Sequence, residues 1–241
     1  MEQLYRELFE RIQAYMAKYP LRKEQGLALH VPMIGSRYSP QQPIRLMWIG
    51  RAINGWDDLD FFDLPIDEYL EKIKALENCR SRFVWIKSYK NFRHSAFWRT
   101  CSLVHQRLYA TRFSVEDWYE DIIWTNLYNV APAIGGNPSI KLCKAQKTIS
   151  AQLLQQQIRK YAPTHIVFVT DADWFSDVFP PDLLPEVVAI PNAKETDAVV
   201  AIGRIGNSKV VVTRRPEFRF SDEVFATSII EAFHSIDQVV E

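Results

Sequence analysis

The sequence predicts an α/β fold, a three-layer α/β/α domain built around a mainly parallel central sheet. Three observations carry that expectation. Short apolar runs at 44–50, 122–130 and 165–170 have the form of strands buried on both faces. Segments around them place apolar residues every third or fourth position, the period of a helix with one buried side. A helical segment at 149–161 leads straight into the 165–170 run, the order of a βαβ crossover. With 241 residues, 47% apolar and 24% charged, the chain has the length and composition of one globular domain. That domain is expected to span 1–241, with an N-terminal helical extension over 1–20.

Taken in order, Leu4, Leu8, Ile12 and Met16 recur every fourth residue and predict an N-terminal amphipathic helix. Residues 20–43 hold four prolines and two glycines and read as an extended loop. The run IRLMWIG, 44–50, reads as a strand that ends at Gly50, and RAINGWDD follows as a loop. Tyr69, Ile73 and Leu76 predict a helix over 65–78. Phe97, Cys101, Val104 and Leu108 predict another, with Ser95 as its cap. After the 122–130 strand come the breaker-rich APAIGGNPS loop, the 149–161 helix and the 165–170 strand. Either Asp171 or Asp173 reads as a cap for a helix starting near 172–174, with a divalent-cation reading as the lesser alternative. VVAI, 187–190, reads as a short edge strand, and 197–213 as two strands joined by a tight turn at 205–208. The last helix begins near Ser221, with Asp222 and Glu223 at its positive dipole end and Phe225, Ile229, Phe233 and Ile236 inward.

Charge is balanced overall but not locally. Lys and Arg total 29, as do Asp and Glu, yet residues 80–170 carry a net +9 and the remainder −9. Arg80, Arg82, Lys87, Lys90, Arg93, Arg99, Arg107 and Arg112 fall in one stretch without an acid, interleaved with Phe83, Trp85, Tyr89, Phe92, Phe97, Trp98 and Tyr109. Lys141, Lys144, Lys147, Arg159 and Lys160 follow in a second acid-free stretch. Cations for phosphates and aromatic faces for bases are what binding of single-stranded or flipped-base DNA needs. The other reading is a solvated basic surface over a partly aromatic core.

Several classes are excluded. There is no phosphate-binding G-x-x-x-x-G-K-[ST] loop, no G-x-G-x-x-G turn and no G-x-S-x-G elbow. Cys79, Cys101 and Cys143 form no CxxC pair and cannot supply four cluster ligands, so no metal and no cofactor is expected. No run approaches the roughly 18 apolar residues of a membrane span, and MEQLYRELFER is acidic where a signal peptide is basic and then apolar. The expectation is a cytoplasmic monomer without a membrane partner.

In an open parallel sheet, ligands bind beyond the carboxyl ends of the strands. Three polar loops follow such ends: Gly50 to Asp57, the Asn126 region, and Thr213 to Arg219. An apolar strand running into a Gly-containing loop (IGRAINGW), a second strand with Trp124-Thr125-Asn126, and a late Arg215-Pro216 turn before a helix resemble, in order and spacing, the uracil-DNA glycosylase superfamily. FRHSAFWR, 92–99, is similar to the substrate-facing stretch between the first two motifs of bacterial relatives. The resemblance covers residues 44–235. It implies the uracil-DNA glycosylase-like fold, DNA as partner, and excision of a damaged or deaminated base after the nucleotide is flipped out.

On the same basis Asn54 positions water and Arg215 stabilises the departing base, while Gly50, Arg51, Trp56, Phe97, Asn126 and Arg214 bind substrate. Two departures bear on activity: no acid stands in the first loop before Asp57, and Arg215 occupies the place of the family's histidine. A non-catalytic nucleic-acid- or nucleotide-binding protein of the same fold is therefore the alternative. For single residues, Asn126 could equally satisfy backbone groups at a strand end, Asn54-Gly55 could be only a turn, and the arginines could pair with surface acids.

Overall fold

The computed structural model of the chain describes residues 1–19, 26–55, 61–79, 82–87, 89–109, 117–180, 182–184, 186–190, 193–194, 196–216 and 220–238. The chain divides into two compact units, each assembled from separate stretches. One comprises Met1–Pro32, Gly50–Cys79 and Thr125–Lys160; the other comprises Met33–Ile49, Arg80–Trp124 and Tyr161–Glu241.

The first unit is mostly helical. Helix α1 (Glu2–Lys18) buries Tyr5, Leu8 and Ile12, and α2 (Ile66–Asn78) buries Tyr69, Leu70 and Ile73, the stripes their periodicity predicts. The 20–43 segment is not a plain loop, for it contributes two short strands, β1 (Leu27–Leu29) and, in the second unit, β2 (Met33–Ile34). The 122–130 run likewise forms two strands, β4 (Ile122–Asn126) and β5 (Val130–Pro132). Strand β1 pairs antiparallel with β5. Tyr5, Leu8, Ile12, Leu27, Leu29, Phe61, Phe62, Tyr69, Val130, Ile149 and Leu153 belong to one continuous apolar core. The N-terminal helix is thus part of that core.

Helix α5 (Ile140–Tyr161) begins nine residues before the position its apolar pattern marks. The reason is its first turns, where Lys141, Cys143, Lys144, Gln146 and Lys147 offer no apolar stripe. Ser139 caps it, its Oγ accepting from the Leu142 N–H at 3.2 Å. Gln146 is fully buried and bonds both backbone groups of Val130, at 2.8 and 2.7 Å, as a neighbouring strand would.

The remaining strands are β3 (Leu46–Gly50), β6 (His165–Val169), β7 (Val187–Ala189), β8 (Val199–Ile205) and β9 (Ser208–Thr213). Together with β2 and β4 they form a seven-stranded sheet in the order β2-β4-β3-β6-β9-β8-β7. The sheet is mixed. β3 pairs parallel with β6 and β6 with β9, so the carboxyl ends of these three strands share one edge. β2–β4, β7–β8 and β8–β9 pair antiparallel. The β8–β9 hairpin turns at Gly206-Asn207, with Gly206 at φ 57°, where a glycine costs least. Gly35, beside β2, is required for another reason: a Cβ there would lie 2.2 Å from the Glu120 carbonyl oxygen.

Among the described residues four α-helices complete the second unit: α3 (Tyr89–His94), α4 (Ala96–Leu108), α6 (Ala172–Val178) and α7 (Asp222–Gln238). Ser95 caps α4 as predicted, accepting from the Trp98 N–H. Phe168 packs edge-on against Phe175 of α6, and His165 edge-on against Phe233 of α7. Three positions apart on one strand, these side chains face opposite ways, so helices cover both faces of β6. No described helix is long and apolar enough to cross a membrane.

His165 makes the stability of this unit sensitive to pH. Burial, with the positive charge of Lys209 nearby, lowers its pKa to about 4. The unfolded chain therefore takes up this proton near pH 6.5 and the folded chain only near pH 4. Stability should be unaffected by His165 above pH 6.5 and should fall as pH drops from 6.5 to 4. Urea unfolding at several pH values should show that slope in the wild type and a shallower one in His165→Gln.

Candidate functional site

Gly50, Arg51, Asn54 and Asn126 belong to the first unit. Asn126 ends β4 and is only 2% exposed. Past it, the chain leaves the strand direction: the Leu127 N–H donates to the Gly50 carbonyl at 2.8 Å, and the Tyr128 N–H to the Arg51 carbonyl at 2.9 Å. The backbone following Asn126 is thereby laid against the start of the 50–55 loop. The Asn126 side-chain Nδ2 is buried and has no hydrogen-bond partner among the described residues. An amide nitrogen in that position has two donors, and leaving them unmet costs about 1–3 kcal/mol. The backbone-satisfying reading of this asparagine is not what the geometry shows.

Asn54 is exposed, and its Oδ1 accepts from the Gly136 N–H at 2.7 Å. Gly55 stands at φ 73°, Gly135 at 104° and Gly136 at 90°, so each side of this contact is a glycine turn. A Cβ on Gly135 would lie 3.0 Å from Asn54 Oδ1. The contact ties the 50–55 loop to the loop between β5 and α5, a link that no local pattern announces. Trp56 lies outside the described residues.

Phe97, Arg214 and Arg215 belong to the second unit. Phe97 is half-buried and packs edge-on against Trp48, Trp98 and Trp124, with ring centroids 5.9, 4.8 and 6.4 Å away. The Arg214 guanidinium bonds the carbonyls of Asp197 and Lys194, both at 3.1 Å, and so fastens a surface turn. Arg215 is exposed, and its backbone N–H donates to Asp171 Oδ1 at 3.3 Å. Asp171 does stand at the N-cap position of α6, but its side chain does not bond the helix's own N–H groups. Its carboxylate holds the 213–216 turn instead.

The basic stretch is less open than its sequence implies. Arg99 pairs with Asp222 at 2.6 Å and Arg107 with Glu223, two acids at the start of α7 that lie far along the chain. Phe83, Trp98 and Tyr109 are buried, and Trp85 packs against Trp98 and Trp124. These aromatics build a core. Arg80 and Arg112, and the side chains of Arg82, Lys87 and Lys90, lie outside what the structure describes.

No protein-family model matches the chain, and no curated protein matches it.

A cluster that the sequence does not announce is the charged group around Asp121. Asp121 is fully buried. Arg37 grips it with two hydrogen bonds, both 2.9 Å, and His105 Nε2 lies 3.2 Å from its second oxygen. A carboxylate only accepts, so Nε2 carries the hydrogen. The His105 ring stacks on Tyr109 at 4.2 Å, and the Tyr109 hydroxyl donates to the Asp121 carbonyl. Burial raises the Asp121 pKa, but the bonds from Arg37 and His105 outweigh it and hold the carboxyl below its usual range. With every oxygen engaged inside the protein, this group is suited to hold structure.

Proposed function

We propose that the chain is a divergent uracil-DNA glycosylase-like protein of three-layer α/β/α architecture, acting on a deaminated or damaged base in DNA. The observation that carries the reading is Asn126: a buried strand-end amide whose Nδ2 donors are unmet among the described residues, in a segment whose next two N–H groups bond the Gly50 and Arg51 carbonyls. A carbonyl edge of a flipped base is the acceptor such an amide takes. Water adds to C1′ of the nucleotide, and the C1′–N bond breaks with its electron pair leaving on the base. One proton of the water then ends on that base. Asn54 is the water-holding candidate, because an amide oxygen has a second lone pair beyond the one given to Gly136.

One observation favours the non-catalytic alternative. The Asn54 oxygen is already bonded, and no carboxylate precedes Asp57 in that loop. Base release from uracil-, hypoxanthine- and xanthine-containing oligonucleotides, single- and double-stranded, decides between the two. Alkali-labile sites forming at one of these bases above the buffer rate support excision. Binding of the oligonucleotides with no alkali-labile site in any of them leaves the binder.

A further inference from the structure

We propose that the loop between β5 and α5, with the first turns of α5, is a nucleic-acid contact surface. In it Ile134 and Ile140 pack against bases while Lys141 and Lys144 meet phosphates. Ile134 and Ile140 are 68% and 76% exposed, and are the two most exposed large apolar side chains among the described residues. Ile134 stands in the 133–139 loop, which Asn54 holds at Gly136, and Ile140 is the first residue of α5, six positions on, where the Ser139 cap fixes the helix start. Two apolar side chains kept in water by a pinned loop form a surface built for contact.

Charge says what the contact is. Lys141 and Lys144 are exposed on the same face of α5, one turn apart, and residues 122–170 contain no acid. Lys141 Nζ sits over the Tyr19 ring, 4.4 Å from its centroid, and has no ion pair among the described residues. A polyanion with apolar faces between its charges matches this alternation of cations and isoleucines; DNA is such a polymer. The surface is joined to Asn54, so the inference draws on the proposed function for its partner. It needs DNA binding but not base excision.

The test uses the full chain and a DNA duplex carrying 2-aminopurine beside a deoxyuridine. Its fluorescence rises when the neighbouring stack is opened, and anisotropy gives the affinity at about 50 and 200 mM salt. The wild type should bind with a steep salt dependence and raise the fluorescence. Lys141→Glu with Lys144→Glu should weaken binding at least tenfold and reduce the log–log salt slope by about 1.8, two phosphates' worth. Ile134→Ser with Ile140→Ser should keep the salt slope and lose most of the fluorescence rise. Unchanged affinity in the lysine pair, or an unchanged fluorescence rise in the isoleucine pair, overturns the proposal. So does binding to phosphatidylserine vesicles with none to DNA. Base release without these effects overturns the surface alone, and these effects without base release overturn the excision reading alone.

Discussion

Replacing Asp121 by alanine should destabilise the protein by about 3 kcal/mol, near the lower end of the 3–5 kcal/mol range for breaking a buried ion pair. The lower end is expected because the Arg37 side chain is 38% exposed and water can take over part of its solvation. His105, 3% exposed, has no such recourse. For a chain of this length the thermal midpoint should drop by roughly 6–12 °C. The same carboxylate gives an acid-sensitive limb. Its folded pKa is held below the usual range, so the unfolded chain is protonated first as pH falls through about 4. Its contribution is full above that pH and is lost below it. Asp121→Ala should flatten this limb, whereas Arg37→Lys, which keeps a charge but loses the two-pronged grip, should lower stability less and keep it.

The largest effect on activity is expected at Asn126. Removing one preorganised hydrogen-bond donor commonly costs about a hundredfold or more in rate, so Asn126→Ala should depress single-turnover base release by at least that factor. Its stability should change little or rise, since a buried donor with no partner among the described residues is removed. That combination separates a ligand-reading amide from a structural one, whose loss would lower stability and activity together. Asn126→Asp should change which base is accepted, because a carboxylate cannot donate to a carbonyl. An Asn126→Ala protein that releases base at the wild-type rate would remove this residue from the chemistry.

How much was legible in the sequence follows the range of the interactions. Helix α4 was readable from Phe97, Cys101, Val104 and Leu108 because a stripe against the core is a local pattern, and Ser95 marks its start. The start of α5 was not, since its first two turns carry exposed lysines and a buried glutamine that bonds Val130 rather than an apolar stripe. Asn126 was legible as the polar end of an apolar run. Its neighbours were not: the bonds from Leu127 and Tyr128 to Gly50 and Arg51 join segments about 77 residues apart, and leave no mark on spacing. The same holds for Arg37, Asp121 and His105, and for Asn54 with Gly136, which are brought together only by the fold. Acid-free spacing also misled locally. Arg99 and Arg107 find their acids on α7, more than a hundred residues further on.

Cleavage of an N-glycosidic bond leaves two products that no other reaction of DNA leaves together: a free base and an intact backbone with an abasic sugar. Mass spectrometry of a deoxyuridine-containing duplex, incubated with excess protein before any alkali is added, reads both at once. Free uracil equal in amount to abasic strand, both lost in Asn126→Ala, is the result expected of a base-excising site built around that asparagine. DNA bound by the folded protein, with neither free base nor abasic strand from uracil, hypoxanthine or xanthine duplexes, would contradict it.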